Sequence, residues 1–176
     1  MPKPPGHVTF QLRIELQGVT PAVWRRVLVP ASVGLLQLSD VLLAAMGWNS
    51  SHMHCFQIGD RRYERDVGEK TATAHQALRG TSSFSYEYDF GDSWTHEVVI
   101  EERLKSHFAL KAAVCLAGEN ACPPDDCGGW PGYVHLLEAL ADPSHESHDE
   151  LVEWTGGSFN PTAFDLVSTN AILQTI

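Results

Sequence analysis

Residues 84–101 read FSYEYDFGDSWTHEVVIE, and the alternation on either side of Gly91-Asp92-Ser93 decides the fold. Phe84, Tyr86, Tyr88 and Phe90 take every second position, and so do Trp94, His96, Val98 and Ile100. Successive side chains of a strand point to opposite faces, so each set covers one face of a half-buried strand. A two-residue loop at Gly91-Asp92 would send the two sets to opposite faces. A three-residue loop pairs Phe90 with Trp94, Tyr88 with His96, Tyr86 with Val98 and Phe84 with Ile100, and so buries one continuous apolar face. The second hairpin is the expected one, although its glycine comes first in the loop and the usual three-residue turn has it last.

Upstream, VTFQLRIEL within residues 7–17 alternates Val8, Phe10, Leu12, Ile14 and Leu16 with polar neighbours, a half-buried strand. A turn at 18–21 leads to a second strand over 23–29, with Trp24 and Arg26 on one face and Val23, Arg25 and Val27 on the other. Leu35, Leu38, Leu42 and Ala45 recur at three and four residues, which predicts a helix over 35–46 opened at Ser32 or Gly34 and closed by Gly47. A strand with a turn at Gly59-Asp60 is expected over 53–63, and a short helix over 69–78. After Lys111 the pattern becomes one of loops and helices. Pro131 suits a first helical position, Ser147-x-x-Glu150 matches a capping box, and Asn160-Pro161 opens a last helix. The expected architecture is one α+β domain over residues 1–176. It has a mostly antiparallel sheet, one early helix on its face and a helical C-terminal third.

With 176 residues and 43% hydrophobic content, the chain is long enough to bury a core without covalent staples. The longest apolar run, Val41–Met46, is far too short to cross a bilayer. The opening MPKPPGHVTF has proline where a signal peptide needs an apolar stretch, and four irregularly spaced cysteines do not form a secreted disulfide framework. A cytoplasmic protein off the membrane is the expectation. The net charge of −10 is uneven: residues 1–80 carry nine Lys/Arg and six Asp/Glu, residues 81–176 three and sixteen. Duplex binding needs clustered cations, so direct DNA binding is disfavoured. Arg61, Arg62 and Arg65, interleaved with Tyr63, are the one group suited to single-stranded nucleic acid. The competing reading is a solvated strand end balanced by Glu64 and Asp66.

Residues 115–133, CLAGENACPPDDCGGWPGY, place three cysteines among paired prolines and glycines, so something other than a backbone ladder must fix their shape. Cys115, Cys122 and Cys127 are candidate ligands of a structural Zn²⁺. His145 or His148 is the candidate fourth ligand, with His52 and His54 as candidates from across the fold. The plainer reading is a stiff connector with small buried thiols. Asp125-Asp126 beside the double glycine would oppose an anion and suit a cation. No Walker-type lysine follows them, so nucleotide hydrolysis of that kind has no support. At the hairpin tip, Asp89, Asp92 and His96 are candidates for acid–base or metal chemistry. Against that, Asp92 as a turn former and His96 as a sheet histidine beside Tyr88 explain the same residues.

VWRRVLVP, LSDVLLAAMGWNSSHMHCFQI, YDFGDSWTHEVVIE, CLAGENACPPDDCGGWPGY, LEALADPSH and FNPTAFDL together resemble the plasmid pRiA Orf-three-like family, over nearly the whole chain. The resemblance implies a compact α+β fold of unestablished activity. Some members carry a TnpR (resolvase-like) label from transposon neighbourhoods, which this acidic chain, with no serine standing out as a nucleophile, does not support. Three functional expectations follow. The first is a binding or accessory module with an unidentified protein partner and a candidate structural zinc site, linked to mobile elements by the resemblance alone. The second is a metal-dependent hydrolase using Asp89, Asp92 and His96 with His52 or His54. The third is nucleic-acid binding through the basic N-terminal half.

Overall fold

The computed structural model describes residues 6–65 and 67–176; Met1–Pro5, with the N-terminal prolines, and Asp66 lie outside the described residues. Alternation does most of the building. In β1 (His7–Leu16) Phe10, Leu12, Ile14 and Leu16 point inward while Gln11, Arg13 and Glu15 stay half-exposed. β2 (Trp24–Pro30) pairs with it antiparallel, Arg13 opposite Arg26. Trp24 and Arg26 share the solvent face, where Arg13 and Arg26 lie over the Trp24 ring at 4.4 and 5.5 Å. Arg25, on the other face, is buried.

β3 (His54–Ile58), β4 (Arg61–Glu64), β5 (Ser83–Tyr88), β6 (Trp94–Ser106) and β7 (Val114–Glu119) complete one seven-stranded sheet in the order β4-β3-β5-β6-β1-β2-β7. Every neighbouring pair is antiparallel. The fold is α+β. The β5/β6 hairpin keeps Phe84, Tyr86, Tyr88, Trp94, His96, Val98 and Ile100 buried, as alternation predicts. Its register is two residues from the expected one: Tyr88 pairs with Trp94, Tyr86 with His96 and Phe84 with Val98. The connection is a five-residue loop, 89–93, whose ends Asp89 and Ser93 both adopt positive φ (56°). Phe90 leaves the ladder and is exposed.

α1 (Leu35–Met46) is closed by Gly47 in the left-handed region, its N–H returning to the Leu43 carbonyl. It is buried well beyond the predicted stripe, Val41, Leu43 and Met46 included, because α5 (Leu166–Leu173) lies against it as well. α2 (Ala74–Ala77) is a single turn with a full capping box from Thr73 and Gln76. Residues 114–119, expected to lie among loops and helices, form the edge strand β7. The outer N–H and C=O of its Cys115 are bonded by the Asn170 side-chain amide (2.8 and 2.9 Å). α3 (Gly129–Ala141) begins two residues before Pro131. α4 (His148–Trp154) follows Ser147 with no side-chain cap. Asp165 caps α5, donated to by the N–H groups of Val167 and Ser168, so Asn160-Pro161 serves a preceding turn. Among the described residues no helix is long and apolar enough to cross a membrane.

The helix layer is pinned to the sheet by polar as well as apolar contact. Ser39 of α1 and Tyr86 of β5 share a buried hydrogen bond of 2.7 Å, and burial holds the Tyr86 phenol far above its usual range. Tyr86→Phe leaves Ser39 without that partner in an apolar interior. It should lower unfolding free energy by about 1–3 kcal/mol, read as a reduced urea midpoint at unchanged slope.

Candidate metal centre

Three chain segments far apart in sequence meet beyond the ends of β3 and β5. The first is the exit from α1, residues 47–53. Trp48 there is buried against Tyr88, Trp94 and His96 (ring centroids 5.1, 6.1 and 5.3 Å). The second is the 89–93 loop, whose Asp89 N–H donates to the Met53 carbonyl at 2.8 Å. The third is the proline-stiffened bend 120–128, tied down where Trp48 Nε1 donates to the Pro123 carbonyl (2.9 Å).

The bend is also fixed from below. The Arg25 guanidinium, buried with its residue, donates to the carbonyls of Ala45, Trp24, Glu119 and Asn120 at 2.7–2.9 Å, with Phe164 stacked 4.1 Å over it. On the far side the Gly128 N–H donates to Asp92 Oδ2 at 3.2 Å. Gly129 (φ +65°) packs so closely that a Cβ would stand 2.9 Å from the Asp92 carbonyl, and a Cβ on Gly132 would overlap the Cys127 carbonyl. Gly129 and Gly132 are thus required by close approach, and Gly128 by its positive φ of 89°.

This scaffold brings His52, Asp89 and Asp126 together. One ligand atom from each lies within 4.8 Å of the others, the one such group of three or more His, Cys, Asp or Glu among the described residues. Asp89 uses Oδ1 to accept the Gly91 N–H (2.9 Å), which leaves Oδ2 3.6 Å from His52 Nδ1. His52 Nε2 lies 3.3 Å from Asp126 Oδ1. That approach is off-line for a hydrogen bond, and Nε2 is buried with no hydrogen-bond partner among the described residues, as is Asp125 Oδ1. Burial, with the neighbouring Asp126 and Asp89 charges, raises the Asp125 carboxyl above the usual aspartate range against the opposing pull of the Tyr88 hydroxyl and His52.

The other candidates are placed elsewhere. Asp92 faces the start of α3 and His96 lies inside the sheet, so the hairpin-tip residues Asp89, Asp92 and His96 face three different ways. His96 Nδ1 lies 3.1 Å from the Tyr86 carbonyl and so carries the donor hydrogen. Burial lowers its pKa to about 4. His54 Nε2 meets Glu69 at 3.1 Å, both buried. Cys115 lies in β7 with its thiol on the Ala117 carbonyl. Burial pushes Cys122 and Cys127 up to about 12, and all four cysteines are free. His148 Nδ1 is bonded to the Ala139 carbonyl and His145 Nδ1 accepts from Ser147 N–H. Arg61 and Arg62 lie on the edge strand β4. Arg62 is paired with Glu64 at 2.6 Å, and Arg65 lines a recess with His52 and His54.

An antiparallel α+β protein with a histidine–carboxylate cluster where three loops meet is the class these observations define. Residues 8–168 match the family described as plasmid pRiA4b ORF-3-like protein. The chain belongs to that family. It is similar to the uncharacterized protein y4hQ of Sinorhizobium fredii, 39% identical over 158 residues that cover 84% of this chain and 81% of that protein. It is also similar to the crystal structure of a protein of unknown function, MM3350 of Methanosarcina mazei Go1. That likeness has a TM-score of 0.81 at 33% identity, over 92% of this chain and 97% of the other.

The buried His96 sets a pH dependence. Its folded pKa of about 4 lies below the ordinary 6.5, so between those values the unfolded chain binds the extra proton and stability falls as pH is lowered. The loss approaches roughly 3 kcal/mol once pH is below 4. The unfolding midpoint should drop between pH 6.5 and 4, and His96→Gln should flatten that part of the profile.

Proposed function

We propose that this protein is a divalent-cation-binding module whose ion is held by His52, Asp89 and Asp126, with Asp125 beside them. The observation that carries this is the close but misaligned approach of His52 Nε2 and Asp126 Oδ1. Tetrahedral zinc with bonds near 2.1 Å spaces its ligand atoms by roughly 3.4 Å, directed at the ion rather than at each other. One imidazole and two carboxylates suit Zn²⁺ or Mn²⁺ better than the all-oxygen set preferred by Ca²⁺. The zinc expectation is thereby carried by a donor set other than the cysteines. Binding at a junction of three loops would couple the ion to the order of all three, as an accessory module that presents a surface to a partner requires. Nucleic-acid binding at Arg61, Arg62 and Arg65 has less support, because Arg62 is already paired with Glu64.

A second, catalytic reading draws on one further observation. Three protein ligands leave coordination positions for water or substrate, and Asp125 and Asp126 open onto a cleft of about 720 Å³. Such a site would activate water for hydrolysis.

Chelator-stripped protein titrated with Zn²⁺ or Mn²⁺ by calorimetry should bind one ion per chain. His52→Ala and Asp126→Asn should each weaken binding by roughly tenfold or more, whereas Cys127→Ser should leave it unchanged. Absence of binding heat, or unaltered affinity in Asp126→Asn, removes the proposal. Metal-stimulated cleavage of simple esters or phosphoesters that is lost in Asp126→Asn separates the catalytic reading from simple binding.

A further inference from the structure

The cleft of about 720 Å³ runs between the end of α1, the 121–126 bend and the segment leading into α5. Its volume is that of a small-molecule site, and its walls have a definite chemical character. Trp48, Trp154, Phe159 and Phe164 line it. Trp154 is 47% exposed, a large indole left open to solvent at its edge. Three carboxylates, Asp125, Asp126 and Asp165, share the lining with a single cation, Arg25.

That cation is not available to a ligand. Arg25 donates to four backbone carbonyls, one of them Ala45 in the last turn of α1, and Phe164 covers its plane at 4.1 Å. Asp165 is likewise engaged, capping α5. Asp125 lines the cleft with its carboxyl held by the Tyr88 hydroxyl, while Oδ1 has no hydrogen-bond partner among the described residues. A cleft lined by carboxylates and aromatic rings, with its one cation already engaged, is complementary to a positive organic group. Aromatic rings attract such a cation through their quadrupoles, and the carboxylate supplies its counter-charge. The strongly acidic half of the chain adds long-range attraction of the same sign.

We infer that this cleft receives an organic cation with an alkylammonium or guanidinium head, seated between Trp154, Phe159 and Asp125. The chemistry is shared by free polyamines and by the lysine or arginine side chain of a peptide. The inferred contacts use none of His52, Asp89 or Asp126, so the site does not require the metal ion.

Calorimetric titration of the whole protein in EDTA with spermidine and agmatine, and separately with short lysine- and arginine-containing peptides, tests this and tells the two sources apart. At least one cation should bind saturably, and an uncharged diol of the same length should not. Trp154→Ala and Asp125→Asn should each weaken binding by about fivefold or more, with Glu102→Gln, an exposed acid outside the cleft, as the charge control. Trp154 is half-exposed, so its replacement spares the core. Binding no tighter than that of the diol, or equal affinity in wild type and both cleft variants, overturns the inference. A failed metal titration leaves it standing, because metal is excluded from the assay.

Discussion

A buried arginine with no carboxylate partner among the described residues organises the functional half of this molecule. Taking a guanidinium out of water is costly, and Arg25 offsets that with carbonyl dipoles rather than an opposing charge. Burial lowers its pKa from the ordinary value, yet arginine stays protonated. Four acceptors from β2, the end of α1 and the exit of β7 must therefore stay where they are. Gly118 shows how tight this is: a Cβ there would come within 2.6 Å of the Arg25 side chain and 2.9 Å of Phe164. The bend that carries Asp125 and Asp126 thus starts from a fixed point.

The aromatic ribbon fixes the other end. Trp48 packs on Tyr88, Trp94 and His96 while its N–H holds the Pro123 carbonyl, and Asp92 accepts from the backbone at the start of α3. One side of each loop is apolar and packed, the other polar and facing its neighbours. The histidine–aspartate cluster lies on that polar side. A rigid frame displaying its chemistry on short loops is a common division of labour in folded proteins.

Much of the frame was legible in the sequence, because the relevant signals are local. The two-residue period of β1, the three- and four-residue stripe of α1 and the Gly47 stop each need only a short window. The hairpin register was not legible: Asp89 and Ser93 leave the strand region with positive φ, which alternation does not report. β7 was missed because VCLAGE alternates poorly, and its pairing with β2 shifts register between Arg26 and Val27. Thr73-x-x-Gln76 fits the capping-box pattern and forms one, whereas Ser147-x-x-Glu150 fits and does not. Of the cluster, His52, Asp89 and Asp126 each stood out by type, but their convergence depends on β3 lying beside β5 and on the bend folding back. Those are non-local facts. The cysteines drew attention through their spacing, and burial beside Arg25 and Tyr133 accounts for where they lie.

The amide of Asn170 has a consequence for the sheet as a whole. By bonding both main-chain groups of Cys115 it imitates an eighth strand in a single side chain. An incoming segment therefore finds no free main-chain group at Cys115, which blunts that border against a known hazard of open strands. At the opposite border β4 presents Arg61 beside the Arg62–Glu64 pair, charged side chains of the kind that discourage edge-to-edge pairing. The two borders are thus blunted by different means, an amide side chain on one and charged side chains on the other.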